Sequence, residues 1–277
     1  MRPNGQAAYQ RAIAALGGAL LSCNPGLRLT PSSAVQRFID NLIPGTEPAW
    51  FEAELNEGDG QELKGKFKAA HSSSALAANT FARFKIAPDQ LNLVCASGFE
   101  AFRFEAKCPA ISGRNPPNLD LLVQSRSKVV GVESKCTEHL RTHVPKFAPA
   151  YDQQITDGRR GSAWFQLMRV LIAEPTRYRR VDAAQLVKHA YGLAHCFPGQ
   201  DVTLLYLYWE PRNAEALPEL AEHREEVAKF AREVAGSFPS FAHLSYRHLW
   251  DTWGQMASPT WLPEHLAALR ARYDIAI

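Results

Sequence analysis

Apolar residues in the first third of the chain recur at the three- and four-residue spacing that is typical of amphipathic helices. We predict a packed helix over residues 12–21, a second over 35–42 that ends at Pro44, a third over 48–55 and a fourth over 72–84. Serines precede the second and fourth segments, and serine is a favoured helix N-cap. This region is therefore predicted to be a helical flank.

The middle of the chain changes to the two-residue alternation and β-branched content of strands. We predict strands over residues 99–106, 118–124 and 128–137, and a buried strand over the apolar run 202–209. Only the polar turn 125–127 separates the second and third strands, so these two should form an antiparallel hairpin.

Helical spacing returns after the hairpin. Residues 162–172 and 186–197 carry apolar stripes that Ser162 and Asp182 can cap, and residues 220–234 form a charged amphipathic helix. Helices around a mixed sheet place the chain in the α/β class.

Composition limits the function classes that need to be considered. The 277 residues, 46% of them hydrophobic, can bury one sizeable core, so one main domain is expected. A net charge of only +3 excludes a globally basic, histone-like chain, and a nucleic-acid partner would need local basic patches. Five cysteines without a Cys-x-x-Cys pair favour reduced thiols in a cytoplasmic protein over a disulfide framework or a zinc ribbon.

The apolar run before Cys23 faintly resembles a lipoprotein cleavage site. Its charged flank is thin and two glycines interrupt it, so a packed helix is the preferred interpretation. No other run approaches the ~18 apolar residues that a membrane span needs, and we expect no membrane partner.

Charged residues interrupt two of the predicted strands. Asp120 lies in the apolar run 118–124, and Glu133 and Lys135 lie in the next strand. Burying an unpaired charge costs several kcal/mol, so these side chains need each other or a metal ion. The two-residue period of a strand puts Glu133 and Lys135 on one face. Asp120 can lie opposite them, with roughly 5 Å between Cβ atoms, if the register fits.

This arrangement predicts a divalent-metal centre. Two carboxylates at that separation repel unless a cation lies between them, and hard oxygen ligands select Mg²⁺ or Mn²⁺ over zinc. The Lys135 ammonium can orient and help deprotonate a water molecule, and it can also stabilise a phosphorane-like transition state. A structural ion pair is the alternative, since buried charge networks are also structural.

An acidic residue followed on the next strand by Glu-x-Lys resembles the core motif of the PD-(D/E)XK nuclease superfamily. The matching residues are Asp120 and, after a twelve-residue gap, Glu133, Ser134 and Lys135. The resemblance implies that Asp120, Glu133 and the backbone carbonyl of Ser134 bind the metal, and that Lys135 serves the attacking water. It also implies a restriction-endonuclease-like mixed β-sheet core flanked by helices. Leu119 stands where the superfamily motif has proline.

A closer resemblance, to a family of bacterial restriction endonucleases, spans roughly residues 48–210. We expect a nuclease-like core over residues 47–212, a helical N-terminal extension over 1–46, and a helical C-terminal extension over 213–277 that packs on the core. The closer resemblance rests on four segments, residues 56–60, 71–76, 117–120 and 133–136.

The superfamily often adds accessory polar residues to this core. Gln185 is the candidate for a glutamine on the helix that follows the lysine strand; the accompanying tyrosine is missing at its customary position, although Tyr191 lies nearby. Glu54 and Glu62 are the candidates for a further acid from the helical flank, but both are expected more often as solvated helix residues. His71 beside three serines is expected to belong to a helix cap.

Three basic clusters suit a surface that tracks phosphates, although a solvated loop has the same composition. Trp164 and Phe165 lie on a helical apolar stripe and are expected in the core. Cys136 and His139 do not suit a cysteine hydrolase, because the Cys136 side chain should point to the opposite strand face. The basic clusters are Lys64, Lys66 and Lys68; Arg159 and Arg160; and Arg177, Arg179 and Arg180.

These patterns together predict a restriction-type endonuclease that hydrolyses DNA with Mg²⁺, for which Mn²⁺ can substitute. The alternative is a catalytically silent nucleic-acid-binding module that keeps the nuclease fold. The sequence leaves open the recognition site, the cut geometry, the preference for DNA over RNA and whether the protein forms a homodimer.

Overall fold

The fold is taken from a computed structural model. Residues 58–60 of the first motif segment and the basic pair at 159–160 lie outside the part of the chain that it describes. The described residues are 4–57, 62–94, 96–109, 117–149, 151, 162–256 and 259–277.

A five-stranded mixed sheet forms the centre of the protein. Its strands lie in chain order. The first pairs with the second, and the second with the third, in antiparallel orientation, whereas the third, fourth and fifth run parallel to one another. The α/β class and the predicted hairpin of the second and third strands are confirmed. The strands are β1 (Ala101–Lys107), β2 (Asn118–Gln124), β3 (Lys128–Lys135), β4 (Asp201–Tyr208) and β5 (Ser240–Ser245).

Three of the predicted helix caps form as expected. Ser72, Ser162 and Asp182 each accept a hydrogen bond from the backbone N–H three residues ahead. Each cap satisfies one of the N–H groups that have no partner within the helix. The described helices are α1 (Asn4–Cys23), α2 (Glu52–Glu57), α3 (Ser73–Phe81), α4 (Ala163–Ala173), α5 (Ala183–Cys196), α6 (Pro218–Glu233), α7 (Tyr246–Gln255) and α8 (Leu262–Tyr273).

The predicted helix over residues 35–42 is wrong. Only a short 3-10 turn, Phe38–Asn41, forms there. Ser33 has a φ of 58°, in the left-handed region, and the Val35 N–H donates to the Lys68 carbonyl oxygen at 2.9 Å. This long-range backbone pairing holds the segment extended, so its helical hydrophobic spacing reflects packing against neighbours.

Helices cover both faces of the sheet, and the core has two layers. Helices α1, α3, α7 and α8 bury one face, whereas α4, α5 and α6 bury the other. Trp164 and Phe165 lie in the second layer, as predicted. None of the described helices is long and apolar enough to cross a membrane.

A buried arginine connects helices α1 and α8 in the core layer that they form on one face of the sheet. The buried Arg272 guanidinium of α8 donates to the carbonyl oxygen of Leu16 in α1 at 2.9 Å and to that of Ala70 at 2.7 Å. A buried guanidinium needs such acceptors, because it cannot lose its charge. The helices at the two ends therefore pack on each other as well as on the sheet.

Candidate active site

Strand β3 carries Glu133 and Lys135 to the face that α5 covers. A Cβ at Gly131, two residues earlier, would lie 2.9 Å from the side chain of Leu193 in α5, and residues two apart share a strand face. The Lys135 ammonium donates to Glu133 Oε1 at 2.6 Å and to Gln185 Oε1 at 2.8 Å. Glu133 and Lys135 therefore form a buried ion pair that the accessory glutamine joins.

His189 is a fourth member of this group, and the sequence analysis did not identify it. His189 Nε2 lies 2.8 Å from Glu133 Oε2, without the angle of a hydrogen bond, and both residues are buried. Gln185 and His189 are four residues apart on α5, a spacing that puts both on one helix face. This Gln-x-x-x-His spacing was the signal in the sequence that could have pointed to His189. Tyr191, by contrast, donates to the sulfur of Met168 in the core.

Asp120 reaches the same strand from β2. Its Oδ2 accepts a hydrogen bond of 2.8 Å from the backbone N–H of Ser134. The β2–β3 ladder pairs Leu121 with Val132, and one further step along it sets Asp120 opposite Glu133. The register therefore brings the two carboxylates together, as predicted from the strand period. The Ser134 side chain bonds to groups on the opposite side, Ser73 and Tyr246.

Glu105 of β1 extends the row of acids, and the sequence analysis missed it. The ladder pairs Phe104 with Leu121 and Ala106 with Leu119, so Glu105 falls across from Asp120. Its φ of 47° is left-handed, a conformation that costs a non-glycine residue strain. No local pattern marks this residue, since its place opposite Asp120 depends on the pairing of β1 with β2. We name Glu105, Asp120 and Glu133 the acid row.

Burial and charge repulsion raise two pKa values in the acid row. Burial, together with the negative charges of Glu133 and Glu105, raises the pKa of Asp120 well above its usual range, against a smaller opposite effect of Lys135. Burial raises the pKa of Glu105 to about 7; an Asn118 hydrogen bond opposes this, and Glu62 and Glu133 add to it. Neighbouring carboxylates therefore interact unfavourably here.

The Glu133–Lys135 pair has the opposite balance. Burial alone would raise the pKa of Glu133, but Lys135 and His189 outweigh it and lower the value to about 2. Burial alone would lower the pKa of Lys135, but Glu133, Glu138 and Asp120 outweigh it and raise the value. At neutral pH both members of the pair are charged.

The two flank acids have different positions. Glu54 accepts a hydrogen bond from the Phe104 N–H at 2.9 Å and pairs with Lys85 at 2.5 Å, which holds the edge of β1. Glu62 accepts from Ser74 Oγ at 3.3 Å, and its charge helps to raise the pKa of Glu105. Of the two, Glu62 is the one whose charge acts on the acid row, whereas the contacts of Glu54 are structural.

The donor chemistry of the acid row fits a divalent cation. Among the described residues, no three His, Cys, Asp or Glu side chains are already arranged as a metal-binding group. Asp120 and Glu133 nevertheless supply hard carboxylate oxygens, the ligands that Mg²⁺ prefers. Burial and the charge of Glu133 both raise the pKa of Asp120, and a divalent cation between the two carboxylates would favour their ionised forms.

Three of the six described side chains in the basic clusters form ion pairs. Arg177 pairs with Glu174 and Glu233, and Arg180 pairs with Glu222. Lys66 lies 3.4 Å from Glu62. These contacts support the structural interpretation of those side chains more than a free phosphate-binding surface.

Comparison with known proteins identifies a family. A family model described as "Restriction Endonuclease associating with ARP" matches residues 30–274. No curated protein and no solved structure matches the chain. The matched range contains the acid row, Lys135, and the two α5 side chains that contact them.

Proposed function

Because the chain belongs to the family of restriction endonucleases associating with ARP, we propose that it is a metal-dependent DNA endonuclease with a cleavage centre of Asp120, Glu133 and Lys135. The observation that carries the proposal is the buried Glu133–Lys135 pair with Asp120 set against the same strand. A structural ion pair alone would not need Asp120, whose ionised form is disfavoured by burial and by the charge of Glu133.

Asp120 and Glu133 would hold the metal ion, with the backbone carbonyl of Ser134 as a further proposed ligand. Mg²⁺ is the proposed ion, and Mn²⁺, also suited to oxygen ligands, can replace it. When bound, such an ion acts as a Lewis acid on the phosphate and lowers the pKa of a coordinated water.

Lys135 acts as a fixed positive charge in this proposal. Its raised pKa keeps the ammonium protonated, so it orients a water molecule and stabilises negative charge on the phosphate more readily than it removes a proton. Glu133 and Gln185 hold the ammonium from two sides. Its position is therefore set before the substrate binds, which is the condition for electrostatic catalysis.

His189 and Gln185 serve as positioning residues. His189 contacts the Glu133 oxygen that Lys135 does not use, so both oxygens of this carboxylate have a cationic or polar neighbour. Gln185 and His189 both lie on α5, so one rigid helix positions the side chains of Lys135 and Glu133.

A plasmid assay tests the proposal. Purified protein should nick or linearise supercoiled DNA with Mg²⁺ or Mn²⁺ and not with EDTA. Asp120→Asn and Lys135→Met should lower the rate at least about 100-fold. The exposed Arg126→Gln serves as a matched control that keeps full activity.

Two outcomes would contradict the proposal. One is the absence of cleavage of any DNA or RNA in a substrate panel, together with no divalent-ion binding by calorimetry. The other is salt-dependent DNA binding without cleavage in any metal, which would favour a silent binding module.

A further inference from the structure

A cavity of ≈ 420 Å³ lies at the β1 edge of the sheet, next to Glu105 of the acid row. It is bounded by the edge strand β1 on one side and the C-terminal end of α5 on the other. Its volume falls within the roughly 300–1,000 Å³ of small-molecule sites. Side chains that define its chemistry are Glu57, Arg103, Glu105, Lys107, Leu122 and Phe197.

Glu105 connects the cavity to the acid row. It lines the cavity, and its charge also acts on Asp120. Neighbouring strands lie about 4.8 Å apart, so Glu105 on β1 is about 10 Å from Glu133 on β3. About three nucleotides cover that distance along a DNA strand at about 3.4 Å each. A ligand in the cavity would therefore be close to the cleaved bond.

The lining matches the parts of a nucleotide. Leu122 and the half-buried Phe197 offer apolar and aromatic surface for the face of a base. Lys107 is exposed, and Arg103 pairs with Glu57 at 2.9 Å in an exposed contact that contributes little stability. Both cations are thus available to a phosphate. A carboxylate such as Glu105 accepts hydrogen bonds from the amino group of a base.

We propose that the cavity receives a base of the substrate DNA from within about three nucleotides of the cleaved phosphodiester, with Glu105 accepting from its amino group. The base must leave the helical stack to enter, and stacking on Phe197 offsets part of that cost. Glu105 is thus a specificity-determining residue. This inference rests on the proposed function and adds to it a place where the enzyme recognises the base sequence of the DNA.

Cysteine labelling tests whether DNA fills the cavity. Cys196 lines the cavity and is half-buried, whereas Cys23 is exposed on α1 and serves as an internal control. The buried Cys108 also lines the cavity, but burial raises its pKa to about 12, which keeps it unreactive. The protein is treated with N-ethylmaleimide with and without a 30-base-pair duplex that contains the cut site, in EDTA, and labelled peptides are quantified by mass spectrometry.

The expected result is at least fivefold slower labelling of Cys196 with DNA, at an unchanged rate for Cys23. Protein already labelled at Cys196 should bind the duplex at least tenfold more weakly, and a Cys196→Ser variant should be insensitive to the reagent. DNA binding by fluorescence anisotropy without protection of Cys196 overturns the inference and leaves the proposed function intact. Failure to bind or cut any DNA overturns both.

A cleavage library tests the role of Glu105. Glu105→Gln exchanges the carboxylate for an amide of the same shape and should change the preference for one base, within about three nucleotides of the cut, by about tenfold. Glu100→Gln, an exposed residue just before the same strand, is the matched control. An unchanged base preference in a Glu105→Gln enzyme that still cuts contradicts the assignment.

Discussion

Removing one partner of the buried Glu133–Lys135 pair should cost far more stability than removing both. Lys135→Met leaves Glu133, which is 2% exposed, without its main counter-charge. Breaking a buried pair in this way costs about 3–5 kcal/mol. The pKa of Glu133 points in the same direction: burial alone would raise it, and Lys135 is the first of the two groups, Lys135 and His189, that together lower it to about 2.

The double variant Glu133→Gln/Lys135→Met should be close to the wild type. It buries no charge at either position, and replacement of a buried pair by neutral side chains of similar volume is often neutral. We expect a difference of about 1 kcal/mol or less; with about 3 kcal/mol or more lost in each single variant, the coupling energy between the two positions is then about 5 kcal/mol or more.

Urea denaturation followed by tryptophan fluorescence measures these free energies of unfolding, since the chain has 6 tryptophans. The pH dependence provides a second check. The folded pKa of Glu133 lies below its unfolded value, so its contribution is full above about pH 4.5 and is lost as the pH falls towards 2. The cost of Lys135→Met should shrink over the same range.

Additive costs in the cycle would refute this reasoning. If the double variant were as unstable as the sum of the single variants, the two charges would not stabilise each other. Cleavage must be lost in all three variants whatever their stability, because each lacks a residue of the proposed centre.

Three further predictions follow from single contacts. Gly192→Ala should cost about 3 kcal/mol or more by thermal unfolding, because its Cβ would lie 2.1 Å from the Cys108 carbonyl oxygen; Gly18→Ala, in an open position on α1, should instead stabilise by about 0.5–1 kcal/mol, and equal effects would contradict the close contact. His139→Leu should reduce the loss of stability below pH 6.5. Burial lowers the pKa of His139 to about 4, so the folded protein keeps this side chain neutral at a pH where the unfolded chain protonates it, which costs about 2 kcal/mol at pH 5. An unchanged pH dependence of the unfolding free energy in urea titrations would contradict this prediction. His189→Gln should lower kcat about tenfold at constant KM and weaken Mg²⁺ binding in calorimetry, with a larger loss for His189→Ala; a change in KM alone would contradict a positioning role.

Local patterns in the sequence determined the central elements of this fold. The predicted strand over residues 118–124 coincides with β2, and the short turn after it required the hairpin with β3. The two-residue strand period then set Glu133 and Lys135 on one face. These features depend on neighbouring residues along the chain, so they can be predicted without knowledge of what packs against them.

Only the tertiary structure brought in Glu105 and His189. Glu105, which has a left-handed φ, enters the acid row because β1 pairs with β2. His189 contacts Glu133 because α5 packs across β3, more than fifty residues later in the chain. Strand β5, which mixes polar and apolar residues, forms through its parallel pairing with β4. Each depends on partners distant in sequence: even the four-residue spacing of Gln185 and His189, which places both on one helix face, does not show what that face contacts.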